Sequence, residues 1–160
     1  MLRDSWGDGP VTPKPESSPP IWIGAMSEPA VRRAGRLGDA YLASWATVEE
    51  FRQRVAWARE ENPDIEVAIV LPAFAWEGGY LPHIRKPLTY YVSCFEKPGG
   101  IPESLVAGSP EAVAERMLSY QEAVGGELSF TAEFCWPGLD RGVLSEALAV
   151  FGEAVLPLVR

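Results

Sequence analysis

The sequence is poor in the residues that carry metal and redox chemistry. It has two cysteines, Cys94 and Cys135, and one histidine, His83, in 160 residues. Nothing here has the spacing of a zinc site or a redox-active dithiol, so no metal is expected. The two thiols read as free cysteines in a reducing compartment. Basic residues are also few: 14 Lys and Arg stand against 22 Asp and Glu, a net charge of −8. A nucleic-acid surface needs a basic stripe, and none is present. The densest basic group, Arg32, Arg33 and Arg36, reads as the solvated face of one helix. No apolar run approaches the ~20 residues of a membrane span, and the first twenty residues lack the apolar core of a signal peptide. The expected location is the cytoplasm.

Proline and glycine are plentiful, at 15 each, within an ordinary globular composition of 47% hydrophobic and 22% charged residues. The length suits one domain. Residues 1–20 are rich in Pro and Ser and read as a linker, with Val11 and Thr12 forming a short edge strand at most. From residue 21 a regular alternation begins. "IWIGA" (21–25) is a short apolar strand, and Ser27 is positioned to cap a helix with Glu28 and Pro29 in its first turn. Ala30, Val31, Ala34 and Leu37 form its apolar stripe, and Gly38 ends it as a C′ residue. "AYLAS" (40–44) is the second strand. "TVEE" is a capping box at Thr47, opening a helix whose stripe is Phe51, Val55 and Ala58 and which stops at Asn62. "EVAIVL" (66–71) is the third strand.

Residues 72–108 break the pattern and read as an irregular insertion, of the kind that is usually functional. "PLTYYVSCF" within it fits either a helix or an extended piece. Ser109 caps the next helix, with the stripe Val113, Met117, Tyr120 and Val124 and a stop at Gly125 and Gly126. "LSFTAEF" (128–134) is the fourth strand. Asp140 caps a last helix with Leu144, Leu148, Phe151 and Val155 on its apolar face. Strands alternating with helices predict a parallel sheet covered by helices.

Three stretches carry a resemblance: "PKPESSPPIWIGAMSEPAVRRAGRLGDAYLAS", "LVAGSPEAVAERMLSYQEAVGG" and "WPGLDRGVLSEALAVFGEAVLPLVR". In this order they resemble the luciferase-like monooxygenase family, which uses a flavin or the deazaflavin F420. The family's "IWIGG" and "GDG" stand here as "IWIGA" and "GDA". The resemblance implies a (β/α)8 TIM barrel. A closed barrel typically needs about 250 residues, so the chain reads as its C-terminal half: strands five to eight with their helices, in residues 21–160. The implied function is that of a truncated flavin-dependent oxidoreductase, working either with reduced FMN and oxygen or by F420-dependent hydride transfer on a small-molecule substrate. FMN is the first expectation and F420 the alternative. The other reading is a non-catalytic half-barrel module that binds a partner. Two open sheet edges also imply self-association or pairing with a missing N-terminal half.

The strand-to-helix turn is the candidate cofactor site. Gly24 lets a ligand approach the backbone, and the first amides of the helix lack internal partners and sit at the positive end of its dipole. The family implies a flavin phosphate here, and the role is carried to Gly24, Ala25, Met26 and Ser27. Glu28, with a like charge, is adverse to an anion. Trp45 reads as a ring-stacking residue or as a rim aromatic packing on a loop. Tyr90, Tyr91 and Trp76 either line a substrate mouth or pack the insertion. Asp39 reads as a turn residue and His83 as a loop residue. The reacting groups of the family come from the other half, so no catalytic residue is named.

Overall fold

The computed structural model of the chain describes residues 12–95 and 100–159, with Trp6 and Gly9. Five strands and five α-helices follow in order: β1 (Trp22–Gly24), α1 (Glu28–Leu37), β2 (Ala40–Ser44), α2 (Val48–Glu61), β3 (Glu66–Ala75), α3 (Leu81–Ser93), β4 (Val106–Gly108), α4 (Pro110–Val124), β5 (Ser129–Glu133) and α5 (Arg141–Val150). All strand pairs are parallel. β1 lies beside β2 and β2 beside β3, while β5 pairs with Ala68–Pro72 of β3 and β4 with Ala73–Ala75. The α/β class and the parallel sheet are those the alternating pattern predicts.

The register explains which side chains are buried. Ile23, Tyr41 and Val67 form one cross-strand row, and Ala43, Ile69 and Phe130 form the next. These rows face the helices: Phe130 meets Tyr120 of α4 edge to face at 6.3 Å. Phe51 of α2 packs on Tyr120 at 5.8 Å. The intervening rows, Gly24–Leu42–Ala68–Ser129 and Ser44–Val70–Thr131, lie on the opposite face. There Leu42 and Val70 are only partly buried, and Trp22 is 41% exposed. The helices α1, α2 and α4 pack one against the next along the covered face. α1 and α2 cross so closely that a Cβ on the buried Gly35 would lie 2.6 Å from the Ala58 carbonyl oxygen.

Helix ends follow the local chemistry. The Thr47 capping box is formed in both directions, with Glu50 N–H donating to Thr47 Oγ1 at 3.3 Å and Thr47 N–H donating to Glu50 Oε2 at 2.8 Å. Ser109 Oγ accepts from Ala112 N–H at 3.4 Å, and Asp140 Oδ1 accepts from the amides of Gly142 and Val143. Gly125 adopts the left-handed conformation at φ 63° that favours glycine at a helix end.

Several sequence expectations are corrected. The insertion 72–108 is not wholly irregular. β3 runs on through Ala75, "PLTYYVSCF" falls largely within α3, and "VAG" is a fifth strand of three residues, too short for a periodic signal. His83 lies on α3 rather than in a loop, with its ring 4.5 Å from that of Trp76. Gly38 is not left-handed, at φ −92°; glycine is needed because a Cβ would come within 3.0 Å of both the Ala34 and Ala40 carbonyl oxygens. Leu37 is 63% exposed, because the α1 face against α2 passes through Val31, Ala34 and Gly35. After α5 the chain widens into a π-helical turn at Phe151–Val155 and then tightens into a 3₁₀ turn at Leu156–Leu158. The apolar stripe against the core passes through Leu144, Ala147, Phe151 and Val155, and Leu148, one position past Ala147, is 49% exposed. Val11, part of the suggested edge strand, lies outside the described residues.

Candidate functional site

The turn between β1 and α1 sits at the C-terminal end of the parallel sheet, where α/β proteins build their sites. Gly24 is exposed, and a Cβ there would meet nothing nearer than the Leu42 carbonyl oxygen at 3.9 Å. No packing contact demands glycine; the space over the backbone is open. Ala25 is fixed through its carbonyl oxygen, which accepts from Tyr41 Oη at 3.0 Å. Met26 is 48% exposed. Ser27 takes the N-cap backbone conformation, and its carbonyl oxygen accepts from the amides of Ala30 at 3.0 Å and Val31 at 2.9 Å. Its hydroxyl makes no capping bond. Pro29 carries no N–H, so the donors of the first turn are fewer than in an ordinary helix start. Glu28 is less adverse than its charge suggests, because Oε1 accepts from Arg32 Nε at 2.8 Å and the carboxylate is paired along the helix. Arg32 also meets Glu60 at 2.7 Å and Glu61 at 3.4 Å, so the basic face of α1 is an ion-pair network with α2.

Behind the turn lies Arg54, only 8% exposed. Its Nη1 donates to the Ser44 carbonyl oxygen at 3.3 Å, and Glu50 lies 3.8 Å from Nη2. The guanidinium also neighbours Tyr41. Burial pushes the Tyr41 phenol up to about 12, and Arg54 opposes that rise. The sequence offers a signal for Arg54: it stands on the spacing of Phe51, Val55 and Ala58, the inner face of α2.

Beside the turn a cleft of about 400 Å³ opens between the strand ends and α3, lined by Met26, Ser44, Trp45, Tyr91, Val92 and Phe95. Trp45 sits at φ 49°, a conformation that costs a non-glycine residue on the order of 1–3 kcal/mol. The surrounding bonds hold it there: its amide donates to Val70 O at 3.0 Å and its indole Nε1 to Glu133 Oε2 at 3.0 Å. Its ring lies 5.7 Å from Tyr91 and 6.4 Å from Phe95, and Tyr91 meets Phe95 edge to face at 5.2 Å. Burial, then the neighbouring Glu133 carboxylate, pushes the Tyr91 phenol above its usual range.

The structure thus separates the candidate residues. Met26 and Tyr91 reach the cleft, as does Trp45, a cleft wall packed against α3. Tyr90 is 59% exposed outside it, and Trp76 stacks on Phe74 at 5.6 Å. Asp39 is a turn residue whose Oδ2 accepts from the Ile21 amide at 2.7 Å. Glu133, Arg54 and Phe95 were not singled out in the sequence. Among the described residues no group of three or more His, Cys, Asp or Glu is placed to hold a metal ion.

A parallel α/β sheet with a glycine turn and an aromatic cleft at its C-terminal end defines the class. Residues 5–76 match the family model described as luciferase-like monooxygenase. That match covers less than half of the chain. No curated protein matches it in sequence. Among solved structures, the oxygenating constituent of the 3,6-diketocamphane monooxygenase from Pseudomonas putida, a complex with FMN, has a TM-score of 0.70 at 16% identity, over 93% of this chain and 51% of that one. A monooxygenase from Streptomyces bottropensis gives 0.67 at 14% identity, over 91% and 50%. The coenzyme F420-dependent tetrahydromethanopterin reductase from Methanopyrus kandleri gives 0.65 at 13%, over 88% and 51%. These likenesses are of fold, and the chain spans about half the length of the structures it matches. Among the described residues no helix is long and apolar enough to cross a membrane.

Proposed function

We propose that the chain is the C-terminal half of a luciferase-like flavin-dependent oxidoreductase barrel, contributing strands five to eight. The observation that carries this reading is the cleft: it joins the open Gly24–Ser27 turn to an aromatic wall at the C-terminal end of a parallel sheet. The turn fits a phosphate through its open backbone, the uncapped Ser27 hydroxyl and a first turn whose acidic residue is already paired with Arg32. Ser44, Trp45, Tyr91, Val92 and Phe95 fit the flat organic part of the cofactor and exclude water from it. FMN is the proposed cofactor and F420 the alternative. When bound, such a group supplies oxygen activation or hydride transfer to a small-molecule substrate, while this chain anchors and orients it.

The test is a fluorescence titration of the full chain with FMN, and with F420 for comparison. Weak, saturable binding that inorganic phosphate displaces is expected, because only part of the barrel encloses the ring. Absence of binding to either cofactor at saturating concentrations would sink the reading. A second reading, a half-barrel module that docks a partner without redox chemistry, draws on Trp22, 41% exposed on the sheet face away from the helices. Pairing with another half-barrel or a second copy would cover that face. Analytical ultracentrifugation showing a monomer that binds no apolar dye would count against it.

A further inference from the structure

Glu133 ends β5 and stands opposite Pro72 of β3. It shares its register row with Pro72, on the face of the sheet away from the helices. It does not line the cleft, yet Trp45, which does, is hydrogen-bonded to it. Glu133 Oε2 accepts from the Trp45 indole Nε1 at 3.0 Å, and the carboxylate neighbours the Tyr91 phenol, whose ring packs on Trp45 at 5.7 Å. The two aromatic groups arrive from different elements: Trp45 from the turn after β2, and Tyr91 from α3. All three residues are partly buried, so water competes poorly for the indole–carboxylate bond. A carboxylate suits this role because either of its oxygens can accept the indole N–H. Glutamine keeps one acceptor oxygen, so it retains the Trp45 bond in only one of its two amide orientations.

We infer that Glu133 is the positioning residue of the cleft: by holding the Trp45 indole, which packs against Tyr91, it fixes the aromatic wall on which a flat aromatic ligand lies. The inference rests on the reading of this cleft as a flavin-type site. Holding Trp45 in its left-handed backbone conformation is part of the same work.

The test separates the two ideas. In the full chain labelled with nitrogen-15, six tryptophans give six indole N–H signals, and W45F identifies that of Trp45. In E133A the Trp45 signal should move, FMN affinity should fall about tenfold, on the order of 1.4 kcal/mol, and the affinity for inorganic phosphate, which probes the turn alone, should be unchanged. E133Q should recover part of the FMN affinity. An unmoved indole signal in E133A, or FMN and phosphate affinities that fall together with the melting temperature, would overturn the inference. Should E133A fail to fold, E133Q must move the Trp45 signal, and an unmoved signal again overturns it. Wild-type protein that binds neither FMN nor phosphate would remove the proposed function, while the indole signal would still decide the role of Glu133.

Discussion

Replacing Gly35 with alanine tests the α1–α2 contact that carries the candidate turn. Two effects oppose each other. Alanine is the better helix former, by about 1 kcal/mol in a helix interior. Against that, the added Cβ would lie 2.6 Å from the Ala58 carbonyl oxygen, 3.0 Å from Glu61 Cβ and 3.3 Å from the Ala58 carbonyl carbon. The first of these is backbone within α2, so no side-chain rotation relieves it and the helices must move apart. Separation loosens Val31 and Ala34, which are fully buried, and stretches the Arg32 and Arg36 pairs with Glu61. Overpacking of a close interface costs about 1–3 kcal/mol, and the fixed position of the carbonyl places this site in the upper part of that range. The net expectation is a loss of about 1–2 kcal/mol, read as a lower urea midpoint with an unchanged slope. Thermal unfolding should begin several degrees lower, about 2–8 °C for a domain of this size. A G35A protein as stable as wild type would show that the helices do not approach as described.

Other perturbations follow from the same contacts. Tyr120 Oη donates to the buried Ala46 carbonyl oxygen at 2.7 Å, so Y120F should cost about 1–3 kcal/mol in chemical denaturation, the penalty for stranding a buried acceptor. Removing the capping box with T47A should cost about 1 kcal/mol and expose the first turn of α2 to faster amide exchange. Tyr41 holds its proton up to about pH 12 in the fold, against about 10 when unfolded. The unfolded chain therefore loses that proton first: the contribution is whole below pH 10 and is lost as pH rises toward 12. Stability measured across that interval should fall, and less steeply in Y41F. R32A should lower the melting temperature in dilute buffer, and the difference should shrink in about 1 M salt, where exposed charges are screened within about 3 Å.

Much of the fold was legible because local rules governed it. The Thr47 box, the Ser109 and Asp140 caps and the left-handed Gly125 were all marked by residues whose backbone preferences need no distant partner. The stripes of α2 and α4 were legible for the same reason, since one face of each helix is buried along its length. The stretch from Pro72 to Gly108 was not legible. Its strand of three residues exists only because Ala73–Ala75 of β3 offer it a parallel edge. Its helix contains Pro87 and starts at Tyr80 without a side-chain cap. The last helix was misread at Leu148 because the small Ala147 holds the buried position beside it, which a stripe counted on large apolar residues passes over.

At the candidate site the division is the same. The sequence by itself determined the turn: a strand, an exposed glycine, a serine at the N-cap and an acidic first turn are consecutive residues, and their geometry follows from backbone chemistry. Only the tertiary structure decided that Glu28 is paired with Arg32, and that Arg54 lies buried behind Ser44 and beside Tyr41. The same holds for Trp45 and Glu133, 88 positions apart in the chain yet 3.0 Å apart between their polar atoms. Long-range contacts of this kind leave no period and no motif, because the partners are chosen by strand order and by the packing of α3 over the sheet end.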